Sequence, residues 1–128
     1  QLLMNLGSTY MRQNRFKMAL NSYKLAAEHE PGNAAAWEQL GGCYYHMREY
    51  DNACEMYEKA LAINGRSATA HRGIGVACMT TYVLDATRTD QRDRALTHWH
   101  QSLEIRPDQP DLTNLVRKYT PAPEEPPL

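Results

Sequence analysis

The 128-residue sequence lacks the long apolar runs of a membrane-spanning helix, and it does not open with the basic and apolar regions of a signal peptide. It also lacks a surplus of charge of one sign, because 14 Lys and Arg stand against 15 Asp and Glu, for a formal net charge of -1. Such a balance gives no general attraction for nucleic acid or for an anionic membrane. We therefore expect neither nucleic-acid binding nor membrane insertion.

Motifs that carry catalysis or bind metal are also missing. The sequence contains no nucleophile elbow, zinc-protease helix motif, phosphate-binding loop or dinucleotide fingerprint. Cys43, Cys54 and Cys78 form an odd set whose spacing fits neither a disulfide framework nor a paired metal site, so we expect buried, reduced thiols. His98 and His100 point to different faces of a helix and cannot chelate one ion together. We expect no enzyme activity, no metal and no cofactor, and reduced thiols slightly favour a cytoplasmic location.

What the sequence does contain is an internal repeat. The segments GSTYMRQNRFKMALNSY and GGCYYHMREYDNACEMY align without a gap at a period of 34 residues. Each unit carries two stretches with small or apolar residues at helical spacing, and Gly41 and Ala53 would let the two helices of a unit approach closely. Chain breaks at Pro31-Gly32, Asn64-Gly65 and Pro107 fall between the units. The pattern predicts seven helices, at about 2–13, 16–29, 34–46, 50–63, 68–84, 91–105 and 109–119.

The repeated positions resemble the tetratricopeptide repeat (TPR), whose 34-residue unit is read as W-x2-L-G-x2-Y, then A-x3-F, A-x3 and a closing P. The second unit matches this pattern at Trp37, Leu40, Gly41, Tyr44, Ala53, Tyr57 and Ala60. The third departs from it, with His71 for the tryptophan and Cys78 for the tyrosine. The resemblance covers about residues 1–109. It implies an all-α fold, a right-handed α-solenoid of antiparallel helix pairs, in a single domain over 1–120 with repeats at about 1–33, 34–67 and 68–109.

The third unit has eight additional residues near 80–90, between Gly75 and Ala95. Tyr82 and Val83 keep helical spacing there, which predicts that the first helix of this unit runs about two turns beyond its counterparts and breaks at 87–90. Asp90 would then cap the next helix. The overhanging residues 82–84 would form either a contact surface or a cover for the last predicted helix, at about 109–119.

The chain after Pro107 predicts one more helix and a tail. The capping helix at about 109–119 would open with Pro110 and turn one apolar side, made by Leu112, Leu115, Val116 and Tyr119, towards the last exposed face of the stack. Residues 121–128, PAPEEPPL, are expected to form a proline-rich tail or linker.

The resemblance also implies a function. Repeats of this family bind extended or helical peptides on a concave face formed by the first helix of each unit, so we expect a protein or peptide ligand with apolar anchors in that groove. The candidate groove residues are Met4, Ser8, Met11, Arg12, Glu38, Gln39, Gly42, Tyr45, His46, Arg72, Val76 and Met79. Met11, Tyr45 and Met79 would form an adaptable apolar rail, or would instead pack between neighbouring helices. Glu38 and Arg72 would either contact the ligand or form a solvated pair.

Some members of the family hold the acidic C-terminus of heat-shock proteins with Lys, Asn and Arg side chains. The matching positions here are Met4, Ser8, Gln39, Thr69 and Gly73, and none carries a charge. A terminal carboxylate would lose its hydration there without a cation to compensate it, so we do not expect binding of that kind.

Two functions stay open at this point. The first is a non-catalytic scaffold for protein–protein interaction that acts through the concave groove. The second is self-association through exposed terminal helices, because Leu2, Leu3 and Leu6 lie on a helix that begins without a preceding cap. Since the sequence starts at Gln1 and not at Met, we also expect it to be part of a longer chain.

Overall fold

The computed structural model describes residues 1–123, which fold into seven α-helices and no strand. The helices are α1 (Leu2–Arg12), α2 (Phe16–His29), α3 (Ala34–His46), α4 (Tyr50–Ile63), α5 (Ala68–Leu84), α6 (Thr89–Ile105) and α7 (Pro110–Tyr119). This confirms the all-α solenoid of helix pairs, and every predicted helix end lies within two residues of the observed one. Residues 121–123 follow α7 without helix, and the remainder of the predicted tail lies outside the described residues.

The two helices of each unit pack through a glycine and an aromatic ring. A Cβ on Gly7 would meet Tyr23, one on Gly41 would meet Tyr57, and one on Gly75 would meet Trp99, all closer than 3.0 Å. The close approach expected at Gly41 therefore involves a ring, because Gly41 leaves room for Tyr57, and Ala53 is fully buried in the core. The ring of Tyr57 also reaches the next unit, where a Cβ on Gly73 would meet the same ring closer than 3.0 Å.

The turns inside the first two units have the same geometry. Asn14 and Arg48 follow the C-caps of α1 and α3 with φ of 58° and 63°, in the left-handed region. In each turn, the next residue donates its N–H back across the helix end: Arg15 to the Tyr10 carbonyl and Glu49 to the Tyr44 carbonyl, both at 2.9 Å. This is the Schellman motif, which satisfies carbonyls that a helix end leaves unpaired.

The inserted residues of the third unit are divided between its two helices, which corrects the prediction. Helix α5 extends only about one turn beyond the counterpart of the α3 end, and α6 begins at Thr89 and not at 91. Asp90 does not cap α6, because it already lies in the first turn and the side chain of the N-cap residue, Arg88, makes no capping bond. Asp85 closes the turn instead, since its Oδ1 accepts hydrogen bonds from the Thr87 N–H at 3.1 Å and the Thr87 hydroxyl at 2.7 Å.

The core forms two clusters along the stack. One joins α2 and α3, and the other runs from α4 through α5 and α6 to α7. The four apolar residues predicted for the capping helix all contact the second cluster, and Leu112 is fully buried in it. The three cysteines are free thiols inside the protein, as expected. Among the helices of residues 1–123, none is both long and apolar enough to cross a membrane.

Candidate functional site

The first helices of the units contact one another, α3 with α1 through a hydrogen bond between side chains and α3 with α5 along the helices. Several candidate groove residues take part in contacts between neighbouring units. The Cys43 thiol on α3 donates to the Met11 sulfur on α1 at 3.4 Å. His46 at the end of α3 stacks instead on Phe16 of α2, with ring centroids 5.1 Å apart. Met11 therefore packs between units, the alternative that the sequence left open for it.

Tyr45 and Glu38 join α3 to α5. The Thr80 hydroxyl gives its hydrogen to the Val76 carbonyl at 2.8 Å, so the Tyr45 hydroxyl is the donor in its 3.0 Å bond to Thr80. At the other end of the helices, the Ser67 hydroxyl donates to Glu38 Oε1 at 2.5 Å and accepts from the Ala70 N–H, which it caps. Both side chains thus have partners within the stack.

Other candidate residues differ more in exposure. Met79 is 4% exposed and belongs to the core cluster of Trp99 and Leu112, so it is not the accessible end of an apolar rail. Gly42 is open, since a Cβ there would meet only the Tyr57 hydroxyl oxygen at 3.8 Å. The exposed candidates on α1 and α3 are Ser8, Arg12, Gln39 and His46, and Met4 is half-buried against the first core cluster.

Arg72 does not pair with Glu38. Its guanidinium donates to Gln109 Oε1 at 3.1 Å. Gln109 is itself buried and donates from Nε2 to the Ser102 carbonyl at 3.2 Å and the Arg106 carbonyl at 2.8 Å. The network holds Arg72 at the junction of α5, α6 and α7.

A groove opens between α5 and α7, because both helices pack on α6 but make no comparable contact with each other. Two cavities lie along it. The polar cavity, of about 460 Å³, is lined by Thr69, Arg72, Arg106, Asp108, Gln109, Pro110 and Asp111. The apolar cavity, of about 240 Å³, is lined by Val76, Met79, Thr80, Val83, Leu84, Trp99, Leu115 and Tyr119.

The two cavities are neighbours along both helices. Arg72 and Val76 are one turn apart on α5, and Asp111 and Leu115 are one turn apart on α7, so the polar cavity continues into the apolar one. We call the two together the α5–α7 groove. Trp99 of α6 lines the apolar part, and its indole N–H donates to the Arg72 carbonyl at 3.3 Å.

The overhang of α5 contributes the most accessible apolar surface of this groove. Val83 is 58% and Leu84 72% exposed, although both line the apolar cavity. Tyr82 faces α6 instead, where the Arg92 guanidinium lies 5.7 Å from its ring centroid. The residues at 82–84 therefore divide between a contact with α6 and an open edge of the groove.

Sequence reasoning found only part of the groove. Arg72, Val76 and Met79 were candidates, whereas Leu115 and Tyr119 were assigned to covering the stack. The residues of the polar cavity beyond Arg72 were missed. The run of prolines and aspartates at Pro107–Asp111 was the available signal, because it marks a turn that brings polar side chains to the start of α5.

A histidine pair was also missed, because its members lie 27 residues apart. His71 Nδ1 and His98 Nδ1 are 2.9 Å apart, and His71 Nε2 donates to the Gly65 carbonyl at 3.2 Å. When His71 carries its single proton on Nε2, its Nδ1 is an acceptor and His98 Nδ1 is the donor between the rings. Burial, followed by repulsion from His71 and Arg94, lowers the pKa of His98 to about 4. No group of three metal-ligating side chains occurs within residues 1–123.

A family model described as tetratricopeptide repeat matches residues 4–68, just over half of the chain. The chain belongs to the tetratricopeptide repeat family. It is 27% identical over 105 residues to anaphase-promoting complex subunit cut9 of Schizosaccharomyces pombe. The aligned region covers 82% of this chain but only 14% of that protein. It is 30% identical over 70 residues to transcription factor tau subunit sfc4 of the same yeast, covering 54% of this chain and 7% of that protein.

Solved structures share the fold. The first TPR of Spaghetti (RPAP3) bound to the HSP90 peptide SRMEEVD superposes with a TM-score of 0.81 at 21% identity, over 92% of this chain and 87% of that chain. TPR domains are generally non-catalytic modules for protein interaction, and this chain has the helical-repeat scaffold of the family.

Proposed function

We propose that this protein binds a segment of a partner protein on the face formed by its first helices, with the α5–α7 groove as the main contact. The observation that carries the proposal is the apolar cavity between α5 and α7, whose edge is made by the exposed Val83 and Leu84. Exposed apolar side chains that line a cavity are typical of interaction sites. Binding needs no chemical step, and the proposed function is non-catalytic.

The groove favours a segment with one apolar anchor and a polar neighbour about one helical turn away. The anchor would enter the apolar cavity against Leu115 and Tyr119, with Trp99 at its base. The polar cavity would then hold the next part of the segment, with hydrogen bonds from Arg72 and Arg106 and to Asp111. On α1 and α3, the exposed Ser8, Arg12, Gln39 and His46 and the open Gly42 would extend the contact.

The fold shared with the structure that holds an HSP90 peptide does not carry its ligand over to this chain. The positions that would hold terminal carboxylates have no cation here, and Gly73 is closed by the ring of Tyr57. Arg12 and Arg72 lie on different first helices, two units apart. We therefore propose an anchor of apolar character and not a C-terminal carboxylate.

The test compares two glutamate substitutions at helix ends. Leu84 ends α5 at the groove, and Ile63 ends α4 outside it and is 42% exposed. Peptides selected by display on the wild-type protein should bind Leu84→Glu at least about ten-fold more weakly, a loss of about 1.4 kcal/mol. They should bind Ile63→Glu as they bind the wild type. Equal affinity for Leu84→Glu, with the fold verified by circular dichroism, would refute the groove as the site.

Self-association remains a second candidate, because Leu2 is 81% exposed on α1 next to the partly exposed Leu6. Leu3 packs against the first core cluster, so a charge at Leu2 is the cleaner test. Under this alternative, light scattering would give a molar mass that rises with concentration and that Leu2→Glu returns to the monomer value. A monomer at all concentrations would rule this alternative out.

A further inference from the structure

A third cavity lies on the other side of the repeat, between α2, α3 and α4, and shares no lining residue with the α5–α7 groove. We call it the outer pocket. Its volume of about 390 Å³ is within the range of ordinary ligand sites, roughly 300–1,000 Å³. The walls are aromatic, because Trp37 and Tyr44 of α3 both line it.

The interior of the outer pocket is apolar and largely fixed. Leu40 and Ala27 are buried beneath it, and the indole N–H of Trp37 donates to the Pro31 carbonyl at 3.0 Å, which sets the orientation of the ring. Met56 is half-buried and can change rotamer. Such an interior accepts a large apolar side chain with little reorganisation.

The rim of the outer pocket carries two ammonium groups. Lys59 Nζ lies 4.9 Å from the ring centroid of Trp37, and Lys24 Nζ lies 5.9 Å from that of Tyr44. Neither lysine forms a salt bridge within residues 1–123, and Glu28 is the single carboxylate of the lining. The pocket therefore combines an apolar centre with a net positive rim, on a protein whose overall charge is close to zero.

We propose that the outer pocket is a second docking site, which takes a bulky apolar side chain from an acidic peptide segment. The apolar side chain would fill the space between Trp37 and Tyr44, and the flanking carboxylates would pair with Lys24 and Lys59. Charge complementarity decides the class of partner, because a basic segment would bring like charges to both sides of the rim. This site is separate from the α5–α7 groove, so the protein could bind two segments at once.

The two tryptophans allow a direct test by NMR titration of the ¹⁵N-labelled protein. The probe is acetyl-Glu-Glu-Phe-Glu-Glu-amide, and the controls are the same peptide with Lys for every Glu or with Ala for Phe. The indole signal of Trp37 reports on the outer pocket, and that of Trp99 reports on the α5–α7 groove. We expect the acidic phenylalanine peptide to shift the Trp37 signal, with at least ten-fold weaker binding by either control.

Several outcomes of the titration would overturn the proposal. A shift of Trp99 alone would place the peptide in the α5–α7 groove, which would leave the proposed function standing and remove the outer pocket. Equal shifts with the basic peptide would remove the charge argument. A Trp37 signal that moves with protein concentration alone would make a second copy of the chain the occupant. No shift at either tryptophan up to millimolar peptide would also refute it.

Lysine reversals provide matched variants. Lys59 and Lys118 are both exposed and both lie over an aromatic ring, but Lys118 is on α7, far along the chain from the pocket. Lys59→Glu should weaken the acidic peptide at least ten-fold, whereas Lys118→Glu, with the same change in net charge, should leave its affinity unchanged. Glu28→Gln should strengthen binding by about two- to five-fold, because it removes the one opposing rim charge. Equal effects of the two reversals would show that only net charge matters.

Discussion

Adjacent glycines on α3 allow packing to be separated from helix propensity. Gly41 and Gly42 lie in the middle of the same helix, and alanine at either position should gain about 0.5–1 kcal/mol from propensity. A Cβ at Gly42 has its nearest neighbour, the Tyr57 hydroxyl oxygen, at 3.8 Å, whereas a Cβ at Gly41 would lie 2.7 Å from Cε2 and Cζ of the Tyr57 ring. Only the second distance requires the structure to move.

The Tyr57 ring cannot move away freely, because it is buried and also lies against Gly73 of α5. Overpacking of this kind costs about 1–3 kcal/mol. We therefore expect Gly42→Ala to raise the free energy of unfolding by up to about 1 kcal/mol. The free energy of unfolding of Gly41→Ala should be about 1–3 kcal/mol lower than that of Gly42→Ala, because the gain in helix propensity is common to both.

The assay is urea unfolding followed by far-UV circular dichroism, with free energies extrapolated linearly and m-values compared. A double-mutant cycle with Tyr57→Leu, which removes the ring, should abolish most of the penalty of Gly41→Ala. If Gly41→Ala proves as stable as Gly42→Ala in the wild-type background, the glycine–ring contact does not constrain the packing of α3 and α4, and the argument for the repeated glycines fails.

Two further predictions concern a turn and the histidine pair. Arg48 adopts a left-handed backbone conformation, as Asn14 does in the first unit, and asparagine tolerates this conformation better than arginine. Arg48→Asn should therefore raise the free energy of unfolding by roughly 0.5–1 kcal/mol in the same assay. A lower free energy of unfolding would refute this. Because the pKa of His98 falls to about 4 in the fold and is about 6.5 in the unfolded chain, its contribution to stability is complete above pH 6.5 and is lost as the pH falls towards 4, by at most about 3 kcal/mol. His98→Gln should reduce the pH dependence of the free energy of unfolding across this window. An unchanged pH dependence would contradict the pKa shift.

The helices were predictable from the sequence because local signals and the repeat agree. The 34-residue period, the paired glycines and aromatics and the proline or glycine breaks all place the same boundaries. The insertion was less predictable, because Asp85, Thr87, Thr89 and Asp90 can all close a turn or cap a helix. Asp85 and Thr87 close the turn in the fold, which moves the start of α6 earlier.

The candidate site was harder to predict because its decisive contacts are distant in sequence. Glu38 is bound by Ser67, and Tyr45 by Thr80, which lie 29 and 35 residues further along the chain. A stripe read on one helix shows that these side chains share a face but not that a neighbouring helix already binds them. Lys24 and Lys59 of the outer pocket belong to second helices of different units, so helical periodicity gives no reason to consider them together.

The position of the α5–α7 groove follows from the lengths of its two walls. Helix α5 has 17 residues and α7 has 10, which correspond to about 25 Å and about 15 Å. The polar cavity is lined by the starts of both helices, and the apolar cavity is lined by Val76 of α5 and Leu115 of α7. The two helices therefore begin side by side, and the last turn of the longer α5 extends past the end of α7. The residues of that turn, Val83 and Leu84, come from the segment that the first two units lack. The proposed anchor site therefore depends on what distinguishes the third unit from the other two, and the repeat pattern alone would not produce it.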